Sequence, residues 1–290
     1  MNPCVQSFHD PATFTFSYVV YDQDGGHAAI IDPVLDFDAV AARTTTASAD
    51  RLLAFVRDHQ LSVDWILETH AHADHLTAAA YLKAATGAKV AIGRGICRVQ
   101  AHFKAVFGLE ADFPVDGSQF DQLFDDGDVF NIGALSVRVM ATPGHTDDSL
   151  TYLIGDAAFV GDTVFAPETG TARADFPGGD ARTLYQSIQR LLELPPATRL
   201  YLCHDYPPPE RAAHAITSVD AQRNQNVHLA NGTVEDDYVA LRSARDATLS
   251  VPKLLYAALQ VNIRAGELPP PDASGVRYLR FPLNQIGSSD

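Results

Sequence analysis

Glu68-Thr69-His70-Ala71-His72-Ala73-Asp74-His75 follows directly on the apolar run Trp65-Ile66-Leu67 and places three histidines and an aspartate within six positions. The apolar run reads as a buried strand, the polar stretch as the loop at its end, and residues 76–85 as a helix behind it. A loop at a strand end is where a rigid scaffold can aim several side chains at one point. Imidazole nitrogens and a carboxylate oxygen at this spacing suit zinc, iron or manganese. One histidine on a surface loop would carry no such meaning, but four donors packed this closely read as a metal site.

The same device recurs along the chain. Thr142-Pro143-Gly144-His145-Thr146 closes a strand over residues 135–141, and Pro and Gly turn the backbone so that His145 is left at the tip. A strand over residues 157–160 runs into Gly161-Asp162-Thr163, and another over residues 200–203 ends in His204-Asp205-Tyr206. The candidate donors are therefore His70, His72, Asp74, His75, His145, Asp162 and His204, each at a strand end. Around them, strands over residues 14–21 and 28–31 flank an Asp24-Gly25-Gly26 turn. Helices are expected over residues 50–59 and 181–192, which together give a layered α/β arrangement. Residues 95–120 decode poorly, and their aromatics Phe103, Phe107, Phe113 and Phe120 are expected to cover part of the site or a partner. Asp125-Asp126-Gly127-Asp128 lacks the full calcium-loop pattern and reads as a solvated hairpin turn.

Bulk properties narrow the function classes. With 290 residues and 46% hydrophobic content, the chain is long enough for one large domain. A formal charge of −15 argues against nucleic acid or an anionic membrane surface as a general partner. No apolar run approaches the ~20 residues that span a bilayer. The first ten residues lack signal or transit-peptide features, so the cytoplasm is the expected compartment. Cys4, Cys97 and Cys203 are too few and scattered for a disulfide framework. Cys203 is expected to pack on the opposite face from its neighbour His204. His9, His27, His59, His102, His214 and His228 sit in no ligand-like cluster and read as surface or packing residues.

The order THxHxDH, PGHT, GDT and HDY, spread over residues 14–218, resembles the metallo-β-lactamase superfamily. The resemblance implies an α/β fold, an αββα sandwich with the metal site at the edge where the strand ends of both sheets meet. It places a catalytic domain at residues 1–223. Residues 224–290 would form a C-terminal extension packed on the same domain, completing a substrate pocket or making a homodimer contact. Within that extension, helices are expected over residues 234–246 and 251–263, a break at Pro269-Pro270-Pro271, and an edge strand over residues 278–283.

Two chemistries fit these motifs. In the glyoxalase II-like hydrolases, as the resemblance implies, His70, His72 and His145 bind one metal and Asp74, His75 and His204 a second. Asp162 bridges them, and a bridging hydroxide attacks a thioester or lactone; zinc is the metal expected there. The runs Gly144–Thr151, Gly170–Phe176 and His204-Asp205-Tyr206 resemble the persulfide dioxygenase branch more closely, with Ala172 departing from its pattern. That branch implies one Fe(II) per chain, held by His70, His145 and Asp162 in a facial triad with open positions for a persulfide sulfur and O2. His72, Asp74, His75 and His204 would then orient ligands and water. The implied reaction oxidises the sulfane sulfur of glutathione persulfide to sulfite, a step of sulfide oxidation. Arg173, Thr146, Arg223 and Lys253 are the expected substrate contacts, the cations facing the carboxylates of glutathione.

Overall fold

The computed structural model describes residues 1–208 and 210–285. The first half of the chain contains β1 (Cys4–Asp10), β2 (Thr15–Tyr21), β3 (His27–Ile31), β4 (Val34–Asp38), β5 (Arg43–Thr45), α1 (Ala47–Asp58), β6 (Ser62–Leu67), β7 (Leu76–Thr77), α2 (Ala79–Thr86), β8 (Lys89–Gly93), α3 (Ile96–Phe107) and β9 (Gln122–Phe124). The second half contains β10 (Val129–Ile132), β11 (Leu135–Ala141), β12 (Leu150–Ile154), β13 (Ala157–Phe159), α4 (Ala181–Leu192), β14 (Arg199–Tyr201), β15 (Ile216–Ser218), α5 (Val219–Gln225), α6 (Glu235–Asp246) and α7 (Leu255–Asn262). One sheet runs β1-β2-β3-β6-β8-β9 and the other β10-β11-β12-β13-β14-β15, while β4 pairs with β5 and β7 in a small third sheet.

Side-chain alternation stacks the two large sheets. Phe16, Tyr18 and Val20 of β2, Ala29 and Ile31 of β3, and Leu67 of β6 face inward against Val137, Val139, Tyr152, Ile154 and Phe159 of the second sheet. Their alternate neighbours Val19, Ala28, Ile30 and Ile66 face outward, where α1, α2, α3 and α7 cover them. On the other side, Leu184, Ile188 and Leu191 of α4 and Tyr238 of α6 cover Ala158 and Leu200. Four layers result, α, β, β and α, with α7 in one outer layer and α6 in the other.

Several expectations change. Leu76 and Thr77 do not begin a helix; they pair with Leu35 and Val34, and α2 starts at Ala79. Phe103, Phe107, Phe113 and Phe120 are buried in the outer core beside α7, so they form packing and not a cover. No strand forms over residues 278–283; the Gln260 side chain brackets Arg280 instead, accepting from its N–H and donating to its carbonyl. β14 ends at Tyr201, and the next residues turn to meet the first sheet through Phe16 N–H to Cys203 O (2.7 Å) and a bridge between Thr15 and His204.

Candidate metal centre

The histidine loop is held from three sides. Asp32, at the end of β3, accepts the Thr69 N–H (2.7 Å) and the Thr69 hydroxyl (2.9 Å). From the second sheet, Asp148 accepts the Ala71 N–H (2.8 Å), Leu150 N–H donates to Thr69 O (2.8 Å), and the Tyr152 hydroxyl donates to Glu68 O (2.9 Å). From α7, the Asn262 amide donates to the His72 and His75 carbonyls, both at 2.8 Å, and accepts the Thr77 N–H (2.8 Å). Gly161, just before Asp162, has φ +51°, and a Cβ there would sit 2.7 Å from Thr69 Oγ1; glycine lets this strand end close onto the loop. Gly144, with φ +129°, presses its backbone against Leu184 at the start of α4 and leaves His145 at the tip.

The seven donors form two adjoining clusters. Donor atoms of His70, His145 and Asp162 lie within 4.8 Å of one another, as do those of His72, Asp74, His75 and His204. Asp162 faces both, with Oδ2 3.6 Å from His145 Nε2 and Oδ1 3.4 Å from His204 Nε2.

Hydrogen bonds fix which ring nitrogen faces inward. His145 Nδ1–H donates to Arg173 O (2.8 Å), leaving Nε2 with its lone pair. His72 Nε2–H donates to Asp32 (3.0 Å), leaving Nδ1. Thr69 gives its proton to Asp32, so its oxygen accepts His70 Nδ1–H (3.1 Å), leaving Nε2. His72 Nδ1, His75 Nε2, His204 Nε2 and Asp162 Oδ1 are buried without a hydrogen-bond partner. Buried polar atoms are rarely left so, and orphaned lone pairs converging from both clusters fit a bound cation.

The electrostatics divide the histidines: burial works to lower His204, but the Asp74 and Asp162 carboxylates outweigh that and raise it. Burial, then the neighbouring imidazoles, pushes His70 and His72 well below the usual histidine range, so both are neutral donors. Burial works against the Asp74 carboxylate, but His204 and His75 beside it outweigh that and hold it low. Burial raises Asp32 to about 6 and Glu68 well above the usual carboxyl range.

Sequence reasoning overlooked the groups that brace the site: Asp32 and Asn262 at the histidine loop, Arg242 and Asp246 at the 171–174 segment. Asp32 had a readable signal, since an aspartate ending a strand before Pro33 repeats the pattern of the donors themselves. Arg242, 1% exposed, pairs with Asp246 (2.7 Å) and donates to Thr171 O (3.0 Å), while Asp246 accepts the Ala174 N–H (2.9 Å). Helix α6 thereby braces the segment whose Arg173 carbonyl orients His145. His228, buried near it, accepts the Thr171 N–H (3.0 Å) and lies 3.1 Å from the Thr171 hydroxyl.

The expected substrate contacts are scattered. Arg173 is near the cluster, but Asp175 already takes its Nε and Nη2 (2.6 and 2.8 Å) and Ser250 O one Nη1 proton (2.8 Å), leaving two N–H groups. Thr146 is buried with its hydroxyl 2.7 Å from that of Ser149. Lys253 is exposed just before α7. Arg223 donates to the Leu192 and Leu194 carbonyls at the C-terminal end of α4, where β14 begins, whereas His204 follows the end of β14; the structure does not bring Arg223 to the cluster. Cys203 does not point away from the donors. Its buried Sγ is 3.9 Å from Asp32 Oδ2 and falls among the Asp162 and His204 donor atoms, because strand alternation has already ended at Tyr201. Among the described residues, no helix is long and apolar enough to cross a membrane.

The chain belongs to the Metallo-beta-lactamase superfamily, which matches residues 10–204. A probable metallo-hydrolase of Burkholderia pseudomallei is 53% identical, covering 97% of this chain and 99% of its own length. A beta-lactamase hydrolase-like protein of Xylella fastidiosa is also 53% identical over 98% of this chain, which spans 65% of that longer protein. The human mitochondrial persulfide dioxygenase ETHE1 is 27% identical over 90% of this chain and 88% of its own length. The crystal structure of ETHE1 from Myxococcus xanthus is 30% identical and superposes with a TM-score of 0.71, covering 91% of this chain and all of that one.

Proposed function

We propose that this chain is an iron(II) persulfide dioxygenase that converts glutathione persulfide, O2 and water to glutathione, sulfite and two protons. The sulfane sulfur gives up four electrons and O2 takes them. The observation that carries this reading is the convergence of two imidazoles and one carboxylate, His70, His145 and Asp162, with donor atoms within 4.8 Å of one another. Two imidazoles and one carboxylate suit iron(II) and leave coordination positions open. Bound there, iron(II) would supply the point at which the persulfide sulfur and O2 meet. His70 and His145 present Nε2 lone pairs, each fixed through Nδ1, and Asp162 offers a carboxylate oxygen. The segment that resembles the dioxygenase branch, residues 170–176, is also the one that orients His145 through Arg173 O. The two N–H groups that Arg173 retains can take a glutathione carboxylate, and Thr146 and Lys253 are further contacts in this reading. The likeness to ETHE1 in sequence and structure supports it as well.

A second reading, a dinuclear zinc hydrolase of thioesters or lactones, draws support from Asp162 facing both clusters and from the relatives named as hydrolases. Substitution at His75 separates the two. In a dioxygenase His75→Ala retains iron, whereas in a dinuclear hydrolase it removes a metal. For the preferred reading, Asp162→Ala should abolish iron binding and O2 uptake on glutathione persulfide; an iron-replete, fully active variant would overturn it.

A further inference from the structure

Thr69, Asp32 and the Arg173 carbonyl fix one ring nitrogen each of His70, His72 and His145, which leaves His75 and His204. Both meet one hydroxyl. Thr15, fully buried at the start of β2, holds Oγ1 3.3 Å from His75 Nδ1 and 3.4 Å from His204 Nδ1. That oxygen is 2.8 Å from Thr13 Oγ1, which is 2.6 Å from Asp10 Oδ2. The Asp10 carboxylate also takes the Thr13 and Ala12 N–H groups at 3.1 and 3.3 Å.

The direction of this chain follows from its end. A carboxylate only accepts, so the Thr13 hydroxyl proton points to Asp10 and its oxygen is left to accept from Thr15. The Thr15 proton is thereby used, and its two lone pairs remain for the two imidazoles. Both rings must then be Nδ1–H donors, so Nε2 is the nitrogen each offers to a cation. Those are the two imidazole Nε2 atoms that are buried without hydrogen-bond partners in the second cluster. His204 Nε2 faces Asp74 Oδ2 at 3.1 Å and Asp162 Oδ1 at 3.4 Å, a pocket that a cation would share with it. Asp74 Oδ1, 3.3 Å from His75 Nδ1, is a second acceptor for the same proton and agrees with this direction.

We propose that Asp10, Thr13 and Thr15 form a positioning relay, absent from the sequence motifs, that sets the tautomer of His75 and His204 together and presents both Nε2 lone pairs to a divalent transition-metal ion or to water. With the bonds of His70, His72 and His145, it turns one ring nitrogen of every cluster histidine outward and leaves the other facing the cluster. The relay holds in either reading of the reaction, since a second metal and a metal-bound water both need those lone pairs.

The test uses the full chain, stripped of metal with a chelator, and reads histidine ¹⁵N shifts and Zn(II) affinity by chelator competition. In the unmodified protein, His75 and His204 should both carry a proton on Nδ1. Thr15→Val keeps the shape and removes the hydroxyl; it should move at least one ring to Nε2–H and weaken zinc binding about 10- to 100-fold. Thr15→Ser should restore both readouts, which a packing role for the lost methyl would not allow. Should Thr15→Val fail to fold, Thr13→Val, at a partly exposed turn, frees the Thr15 proton to swing to a ring and should produce the same tautomer change. A neutral Nε2–H tautomer of either ring, with Nδ1 unprotonated, in the unmodified protein, or unchanged tautomers and zinc affinity in both valine variants, would overturn the relay.

Discussion

The two donor clusters lie side by side but are built in opposite ways. Three of the four donors His72, Asp74, His75 and His204 come from one short loop. His70, His145 and Asp162 come from three separate strand ends, and His145 is oriented through Arg173 O by a segment that α6 ties down. Asn262 of α7 ties the His72 and His75 carbonyls, so each cluster takes one support from a late helix. Sequence density therefore marks the cluster whose donors are neighbours in the chain, while the cluster proposed to hold iron is assembled from strand ends that only the fold brings together.

The sharpest way to break this contrast is a matched pair of substitutions. His70→Ala should abolish iron binding, whereas His75→Ala should keep iron and lower turnover about 10- to 100-fold, the usual range for a group outside the coordination sphere. Metal analysis and O2 uptake on both variants check it; equal iron loss in the two would erase the distinction between the clusters.

The extension can be probed next. Asp246→Ala leaves the buried Arg242 charge and the Ala174 N–H unpaired, so stability in denaturant titration should fall by about 3–5 kcal/mol. Asn262→Ala strands the Thr77 N–H and two loop carbonyls, and each orphaned group costs about 1–3 kcal/mol where water cannot reach it. Losses below about 1 kcal/mol in both variants would mean that the extension merely covers the site.

The smallest effect concerns pH. His228 is pushed down to about 4, first by burial and then by the Arg242 and Arg245 charges. Its ordinary value is near 6.5, so between about 6.5 and 4 the unfolded chain binds the proton that the folded chain refuses. Stability held above pH 6.5 should therefore fall as pH drops toward 4, by roughly 2–3 kcal/mol from this group. Protonation also removes the lone pair that accepts the Thr171 N–H. His228→Gln should flatten that part of the pH–stability curve; an unchanged slope would assign it to other groups.

Much of this architecture was legible in the sequence, for a physical reason. Strand-end donors announce themselves because an apolar run stops abruptly at His, Asp or Gly, and the seven candidate donors that the structure brings together were singled out in this way. Helix α4 was readable to its ends because its apolar face repeats cleanly and Asp180 caps it. Leu76 and Thr77 misled because an apolar–polar pair before an alanine-rich helix looks helical, and only pairing with β4 makes it a strand. The supports stayed hidden because each is a single polar side chain acting across great sequence distance. Asn262 bonds residues 187 and 190 positions away, and nothing near it in sequence hints at the histidine loop. Arginines are harder still. Arg173 and Arg223 look alike in sequence, yet one flanks the cluster and the other caps α4.

One measurement bears most directly on the proposed division of labour between the clusters: iron and zinc per chain in the purified protein, with O2 uptake and sulfite release on glutathione persulfide in the same sample. About one iron per chain with matched O2 uptake and sulfite is the expected result. Two zinc ions per chain, no O2 uptake and hydrolysis of a thioester would contradict it and make His72, Asp74, His75 and His204 metal ligands.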